Sequence, residues 1–381
     1  MQRLPSVSLV GHPFAPIGMG ENVRCAHRAW RAAYVPAKIV DVYQPKKSDA
    51  DLSAEFGSHV ARRLSAEVQI FHVNGDEVAQ VNAQLRSRTD SRGLRIICPA
   101  WELSRYPDVW AKELDQFDEV WAQSTFTFEA LSKAVKVPVV HMPESSEVKV
   151  SSFLGRRYFA IPETNFAFLF FFNFSSFIER KNPEAALRAL ELFIERRSNA
   201  AVTFVMKVSG VPARPEVRAT FDARLAALKD RVILIDREMT DNETKNLIRC
   251  CDSFVSLHRS EGYGHGLSEA MILGKPVIGT AYSGNMDFMT SDNAMLVDHS
   301  LIPVPKDAYP HWENQVWADP DVEQASRYME ALYEDPDLCR RLGAHASLTI
   351  RRDFSYVATG VRYRIRVEEL CRQRDGLRVP A

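Results

Sequence analysis

Two glutamates separated by seven residues, Glu261 and Glu269, stand in the string Arg259 to Asn285, R-S-E-G-Y-G-H-G-L-S-E-A-M-I-L-G-K-P-V-I-G-T-A-Y-S-G-N. Glu261 directly follows a predicted strand, and Gly262, Gly264 and Gly266 keep the backbone between the glutamates free of side chains where a helix begins. Such a loop points amide groups and a helix N-terminus at a bound anion. A carboxylate in the loop can accept hydrogen bonds from sugar hydroxyls, and one a turn into the helix can reach a ribose diol. Both tasks need a group that only accepts. The ordinary alternative is a glycine turn flanked by solvated glutamates.

A second constellation lies in Phe174 to Pro183, F-S-S-F-I-E-R-K-N-P, after another predicted strand. Arg180 and Lys181 there could stabilise negative charge growing on a phosphate leaving group. The alternative is a solvated basic pair. Lys207, at the end of a further predicted strand, is a third candidate cation or an ordinary snorkelling lysine.

Near the N-terminus, G-H-P-F-A-P-I-G-M-G-E-N-V-R places Gly18 and Gly20 in an expected strand-to-helix loop that can approach a ligand closely. Arg24, Arg28 and Arg31 share one helical face, which would be solvated or would attract an acidic acceptor. Trp101 and Glu102, after another strand candidate, offer a sugar-stacking ring and a polar contact, or Trp101 is core. His72 and His265 are histidines that could serve on the acceptor side, although lone histidines are more often structural.

These residues need scaffolding elements. Short apolar runs at Val7 to Val10, Lys38 to Val42, Val68 to Val73, Leu94 to Cys98, Glu119 to Ala122 and Val137 to His141 alternate with helical stretches such as Glu21 to Tyr34, Asp76 to Arg86 and Thr125 to Ala134. That alternation predicts βα units around a parallel sheet. A second series starts at Phe166 to Phe172, a run expected for a strand buried on both faces. It continues with Asn182 as N-cap, Pro183 as first helical residue, and strands at Val202 to Val208, Val232 to Ile235, Ser253 to Leu257, Pro276 to Thr280 and Met295 to Val297. The join falls within Glu144 to Thr164, and a final helix is expected over Tyr356 to Arg372. The expected domains are 1–155, 156–350 and a C-terminal helix and tail over 351–381.

The 381 residues exceed what one core usually holds. With 46% hydrophobic and 25% charged residues the composition is that of a globular protein. A net charge of -1 with dispersed Lys and Arg gives no footprint for nucleic acid. Neither a secretory signal nor a membrane-length apolar run is read, which leads to the expectation of a cytoplasmic protein, free or at the inner face of the membrane. The six cysteines have no CxxC spacing and are expected to be reduced thiols.

The Arg259 to Asn285 string resembles the signature of the retaining glycosyltransferases of family 4, within glycosyltransferase group 1: Glu, seven residues, Glu, then Ala-Met and a Gly-Lys-Pro-Val strand entry. The resemblance implies a GT-B fold, two Rossmann-like α/β domains facing a central cleft, with the C-terminal helix crossing back to the first domain. It implies that Glu261 contacts the donor sugar, Glu269 the nucleotide ribose, and the backbone amides of Gly264, His265, Gly266 and Leu267 the diphosphate. Lys181 matches the family's phosphate-binding lysine. Ser175 or Ser176 stands where its arginine usually lies, so Arg180 is a less direct match. Gly18 and Gly20 resemble the family's Gly-x-Gly-Glu loop. Where relatives often carry a histidine near the reacting sugar, this chain has Ala100, Trp101 and Glu102.

The expected reaction is transfer of a hexose, with retention, from a UDP- or GDP-sugar to a saccharide or lipid-linked saccharide, as in polysaccharide biosynthesis. The expected catalytic residues are Glu261, Arg180 and Lys181; no cofactor or metal is expected. The alternatives are another GT-B enzyme, such as a sugar-nucleotide epimerase or a phosphorylase, and a noncatalytic sugar-nucleotide-binding subunit. Peripheral membrane association is compatible with this reading, and the oligomeric state is not readable.

Overall fold

The computed structural model describes residues 4–15, 17–43, 50–90, 93–210, 215–228 and 230–376. The chain forms two compact units: Met1–Glu147 together with Arg352–Ala381, and Val148–Arg351. The first unit thus stops short of the expected residue 155. The amides of Ser151 and Leu154 bind the side chains of Asn242 and Asn246, which commits this stretch to the second unit.

The first unit holds β1 (Val7–Gly11), β2 (Ala37–Asp41), β3 (Val68–Phe71), β4 (Leu94–Ile97), β5 (Glu119–Ala122) and β6 (Val139–His141). They form one sheet in the order β2-β1-β3-β4-β5-β6, every pair parallel. β1, β3 and β5 are buried throughout, as strands covered on both faces are, whereas β6 is only half-buried. The helix Gly18–Ala32 starts three residues earlier than its apolar stripe suggests, so Gly18 and Gly20 lie in its first turn. Gly20 is needed there: a Cβ would meet the Ala15 carbonyl oxygen at 2.2 Å and that of His12 at 2.9 Å.

The final helix, Tyr356–Gly376, runs four residues beyond the expected Arg372 and belongs to the first unit. Tyr363 stacks on Trp121 at 5.1 Å and lies 5.3 Å from Trp30, while Arg366 pairs with the buried Glu119. Arg24 and Arg28 are buried, not solvated. Arg24 bonds Glu21 at 2.7 Å and the Pro13 carbonyl at 2.9 Å; Arg28 holds Glu55 through two nitrogens and reaches the Tyr356 hydroxyl at 3.3 Å. Arg31 alone of the three is exposed, against His59. The arginine face is therefore internal structure, since buried guanidinium groups need carboxylate partners.

The second unit holds β7 (Phe166–Asn173), β8 (Val202–Ser209), β9 (Val232–Asp236), β10 (Ser253–Ser256), β11 (Val277–Thr280) and β12 (Met295–Val297), ordered β12-β11-β10-β7-β8-β9 and parallel throughout. Read from β9, this is the doubly wound order 3-2-1-4-5-6. An antiparallel hairpin, β13 (His299–Pro303) and β14 (Val316–Pro320), follows; the single-sequence reading did not anticipate it. Phe168, Phe170, Phe193 and Phe204 are fully buried in this core, each worth roughly 1.5–3 kcal/mol of apolar burial.

No disulfide joins any of the six cysteines; Cys25, Cys250 and Cys251 are buried and the others partly so. Among the described residues, no helix is long and apolar enough to cross a membrane.

Candidate functional site

In an open doubly wound sheet, the crevice opens where connections leave neighbouring strands in opposite directions. In the second unit those strands are β7 and β10. Their trailing loops carry Arg180 and Lys181 on one side and Glu261 on the other, so topology brings together residues eighty positions apart in sequence.

The two loops are sewn to each other. Asn182 takes a left-handed conformation, φ 54°, and its side-chain Nδ2 donates to the Leu257 carbonyl at 2.9 Å, so its side chain does not cap the helix Pro183–Arg196. The Arg259 amide donates to the Arg180 carbonyl at 2.8 Å, and the Arg259 guanidinium donates to the Glu179 carbonyl at 2.9 Å. Phe177, before the short helix Ile178–Lys181, also has positive φ, 61°. Holding non-glycine residues there costs energy that this bonding offsets.

The Glu261 carboxylate sits between the two cations. Arg180 Nη1 donates to Oε2 at 3.1 Å and to the Ser260 carbonyl at 2.9 Å; Lys181 Nζ donates to Oε1. Burial alone would raise the Glu261 pKa, but Lys181, Arg180 and the nearby His258 hold it well below the usual carboxylate range. The two cations differ in access: the Arg180 side chain is 5% exposed and that of Lys181 19%. Arg180 spends its donors on Ser260, Ser176 and Glu261 and carries the Tyr309 ring at 5.8 Å. It acts as a keystone for the loops, and Lys181 is the more accessible charge.

The backbone of Glu261 is held as firmly. Its amide donates to Ser283 Oγ at 2.8 Å, and its carbonyl accepts from the Gly284 amide at 2.9 Å. Beneath it, the fully buried His258 meets Asn285 Oδ1 at 3.0 Å through Nε2 and Ser256 Oγ at 3.1 Å through Nδ1; burial lowers its pKa.

Glu269 lies in the helix His265–Ile272 and is buried, with its Oε1 accepting from Lys245 Nζ. Gly264 is the N-cap with φ 103°, a conformation that glycine adopts without strain. The Leu267 amide donates to the Gly264 carbonyl at 3.0 Å, so it belongs to the helix turn and is not directed at an anion. Gly266 has a packing duty: a Cβ would press the Phe171 ring at 2.9 Å and that of Phe254 at 3.0 Å. The His265 ring lies 5.1 Å from that of Tyr263.

Other expected site residues fall elsewhere. Lys207, in β8, donates to Ser209 Oγ at 3.1 Å, and burial lowers its pKa. In the first unit Trp101 is 1% exposed, donates to the Arg105 carbonyl at 3.0 Å and meets Tyr106 and Trp110 edge-on at 5.5 Å. Its ring is core and offers no face for stacking on a sugar. Glu102 is half-buried in the loop after β4. His72 is buried after β3, both ring nitrogens without a hydrogen-bond partner among the described residues, and burial pushes its pKa down to about 4.

Among the described residues no group of three or more His, Cys, Asp or Glu is placed to hold a metal ion. The expectation of no metal overlooked three Asp-x-Asp triplets, at 49–51, 319–321 and 335–337. Asp321 caps a helix through the Gln324 amide at 2.9 Å with Asp319 on Arg259, and Asp335 accepts the amides of Asp337 and Leu338. A third triplet, 49–51, begins outside the described residues.

Sequence reasoning missed Lys245, Ser283, Gly284, His258 and Tyr309. Ser283 and Gly284 stand inside the quoted glycine-rich string, and a Ser-Gly-Asn turn after a strand could have marked them. Lys245 follows the capping pattern Thr240-Asp-Asn-Glu243 with nothing local to distinguish it from a surface lysine.

Residues 159–348 match the family described as Glycosyl transferases group 1. No curated protein sequence matches the chain. Among solved structures, HepE from Anabaena in complex with UDP-glucose is similar, with a TM-score of 0.68 at 12% identity over 96% of this chain and 100% of that one. So are sucrose-phosphate synthase from Thermosynechococcus elongatus, TM-score 0.67 at 15% identity over 98% and 99%, and a glycosyltransferase from Rickettsia africae, TM-score 0.62 at 13% over 96% and 98%. The chain thus has the GT-B fold of these neighbours and carries, over residues 159–348, a domain of the group 1 glycosyltransferases.

Proposed function

We propose that the protein transfers a hexose, with retention at the anomeric carbon, from a nucleoside diphosphate sugar to a hydroxyl of a saccharide or lipid-linked saccharide, as in polysaccharide assembly. The products are the glycoside, the nucleoside diphosphate and a proton. The observation that carries this reading is the Glu261 carboxylate held between Arg180 and Lys181 at the switch point of the second sheet. That pairing keeps Glu261 ionised, so it can only accept, as contact with sugar hydroxyls requires.

As the bond to the sugar breaks, negative charge grows on the diphosphate. Lys181, with the N-terminus of the helix His265–Ile272 through the Gly264, His265 and Gly266 amides, stabilises that charge more than it does the ground state. Arg180 positions Glu261. Glu269 takes the ribose diol. Such fixed charges can serve without a metal, so activity should persist in a chelator. The second unit is assigned the donor and the first the acceptor.

HepE was solved with UDP-glucose, which makes UDP-glucose the first donor to test. The test incubates the protein with UDP- and GDP-hexoses and saccharide acceptors, measures nucleoside diphosphate release, and reads the anomeric configuration of the product by NMR. Retention with diphosphate release supports the reading. Return of an isomerised nucleotide sugar, or binding without turnover, would replace it with an epimerase or a noncatalytic binding subunit.

A further inference from the structure

Lys245 is 4% exposed in the helix Asp241–Cys250, which leads into β10, and its Nζ donates to Oε1 of Glu269 in the helix that follows β10. Asp241 Oδ1 lies 3.6 Å from the same Nζ, a second and longer contact. Taking an ammonium and a carboxylate out of water costs several kcal/mol per ion, and an apolar pair of similar volume commonly stabilises a fold as well or better. Stability alone therefore gives no reason for this pair. A carboxylate buried without a cation has its pKa raised, and once protonated it becomes partly a donor. Removing Lys245 takes away a cation bonded to the Glu269 carboxylate and favours its protonated, partly donating form.

We infer that Lys245 is a positioning residue for the donor nucleotide: from the neighbouring helix it keeps Glu269 ionised and fixed in orientation as the acceptor for the ribose diol. This rests on the reading of Glu269 as the ribose contact. Lys245 bonds the Glu269 carboxylate, so its effect on the nucleotide is expected to act through discrimination at the ribose.

The test compares dissociation constants of UDP and 2′-deoxy-UDP, and of GDP and 2′-deoxy-GDP, by calorimetry from about pH 6 to about pH 8.5. The proteins are the wild type, Lys245→Gln, Glu269→Gln and the double variant. The wild type should prefer the ribonucleotide by roughly tenfold at every pH. Glu269→Gln should lose most of that preference. Lys245→Gln should lose it at low pH and regain it as pH rises and Glu269 ionises again, a recovery that a purely structural role would not produce.

The double variant has no buried charge of this pair left uncompensated, and it should match Glu269→Gln alone. This keeps the inference open to refutation if Lys245→Gln fails to fold. A wild-type preference in Lys245→Gln at all pH values, or a double variant markedly worse than Glu269→Gln, overturns the role of Lys245. A wild-type preference in Glu269→Gln, or no nucleotide binding by the wild type, instead overturns the donor-site reading and the inference with it.

Discussion

Gly284 lies so close to Gly262 that a Cβ on Gly284 would come within 2.0 Å of the Gly262 carbonyl oxygen. The two loops meet backbone to backbone, and this contact brings the Gly284 amide to the Glu261 carbonyl. Gly284→Ala should therefore push the two loops apart. Overpacking of this kind costs about 1–3 kcal/mol. Thermal denaturation should show a lower Tm, and donor affinity should fall with it. An alanine variant with unchanged Tm and affinity would mean that the loop contact does not hold Glu261 in place.

Glu261→Gln separates the two roles of the cation pair. The amide leaves Lys181 and Arg180 without their counter-charge, so nucleoside diphosphate should bind more tightly than to the wild type. Turnover should drop by roughly 10²-fold or more, because the ionised acceptor for the sugar is lost. Lys181→Met should do the reverse to affinity, weakening nucleoside diphosphate binding. Calorimetry with the diphosphate alone and initial-rate kinetics with the sugar nucleotide read the two effects independently.

Tyr309 sits between the β13–β14 hairpin strands, its ring 5.8 Å from the Arg180 guanidinium and 4.7 Å from the Phe177 ring. A cation over an aromatic face contributes about 0.5–2 kcal/mol. Tyr309→Ala should loosen Arg180 and lower kcat/KM several-fold, and Tyr309→Phe should restore it. If both variants behave alike, the ring is not what steadies Arg180.

Burial lowers the pKa of His72 and of His27 to about 4, from an ordinary value near 6.5. Both are neutral in the folded protein and take up protons when it unfolds in mild acid. Their contribution to stability is complete above about pH 6.5 and is lost as pH falls toward 4, roughly 3 kcal/mol for each at the acid end. Glu261 acts in a lower window, because its folded pKa lies below the usual carboxylate range and its contribution is lost only as pH drops beneath that range. Urea denaturation across this span should show the upper loss first, and His72→Leu should flatten it.

Much of this was legible from local pattern. The apolar run Phe166 to Phe172 is buried almost throughout, and a strand covered on both faces has no polar alternation to obscure it. The hairpin β13–β14 was not legible: β13 has only exposed and half-buried residues, β14 mixes buried with exposed ones, and each carries a proline, a weak signal for any single window.

The sequence by itself determined the element types, the two series of parallel strands and the chemical character of Glu261, Glu269, Arg180 and Lys181, since residue type and local periodicity carry those. Tertiary structure decided who meets whom. Strand order set β7 beside β10 and so gave Glu261 its two cations, while the packing of helices on either side of β10 gave Glu269 its lysine. In the first unit, packing withdrew Trp101 into the core and turned Arg24 and Arg28 inward. A side chain's partners depend on residues far away along the chain, and no local window records them.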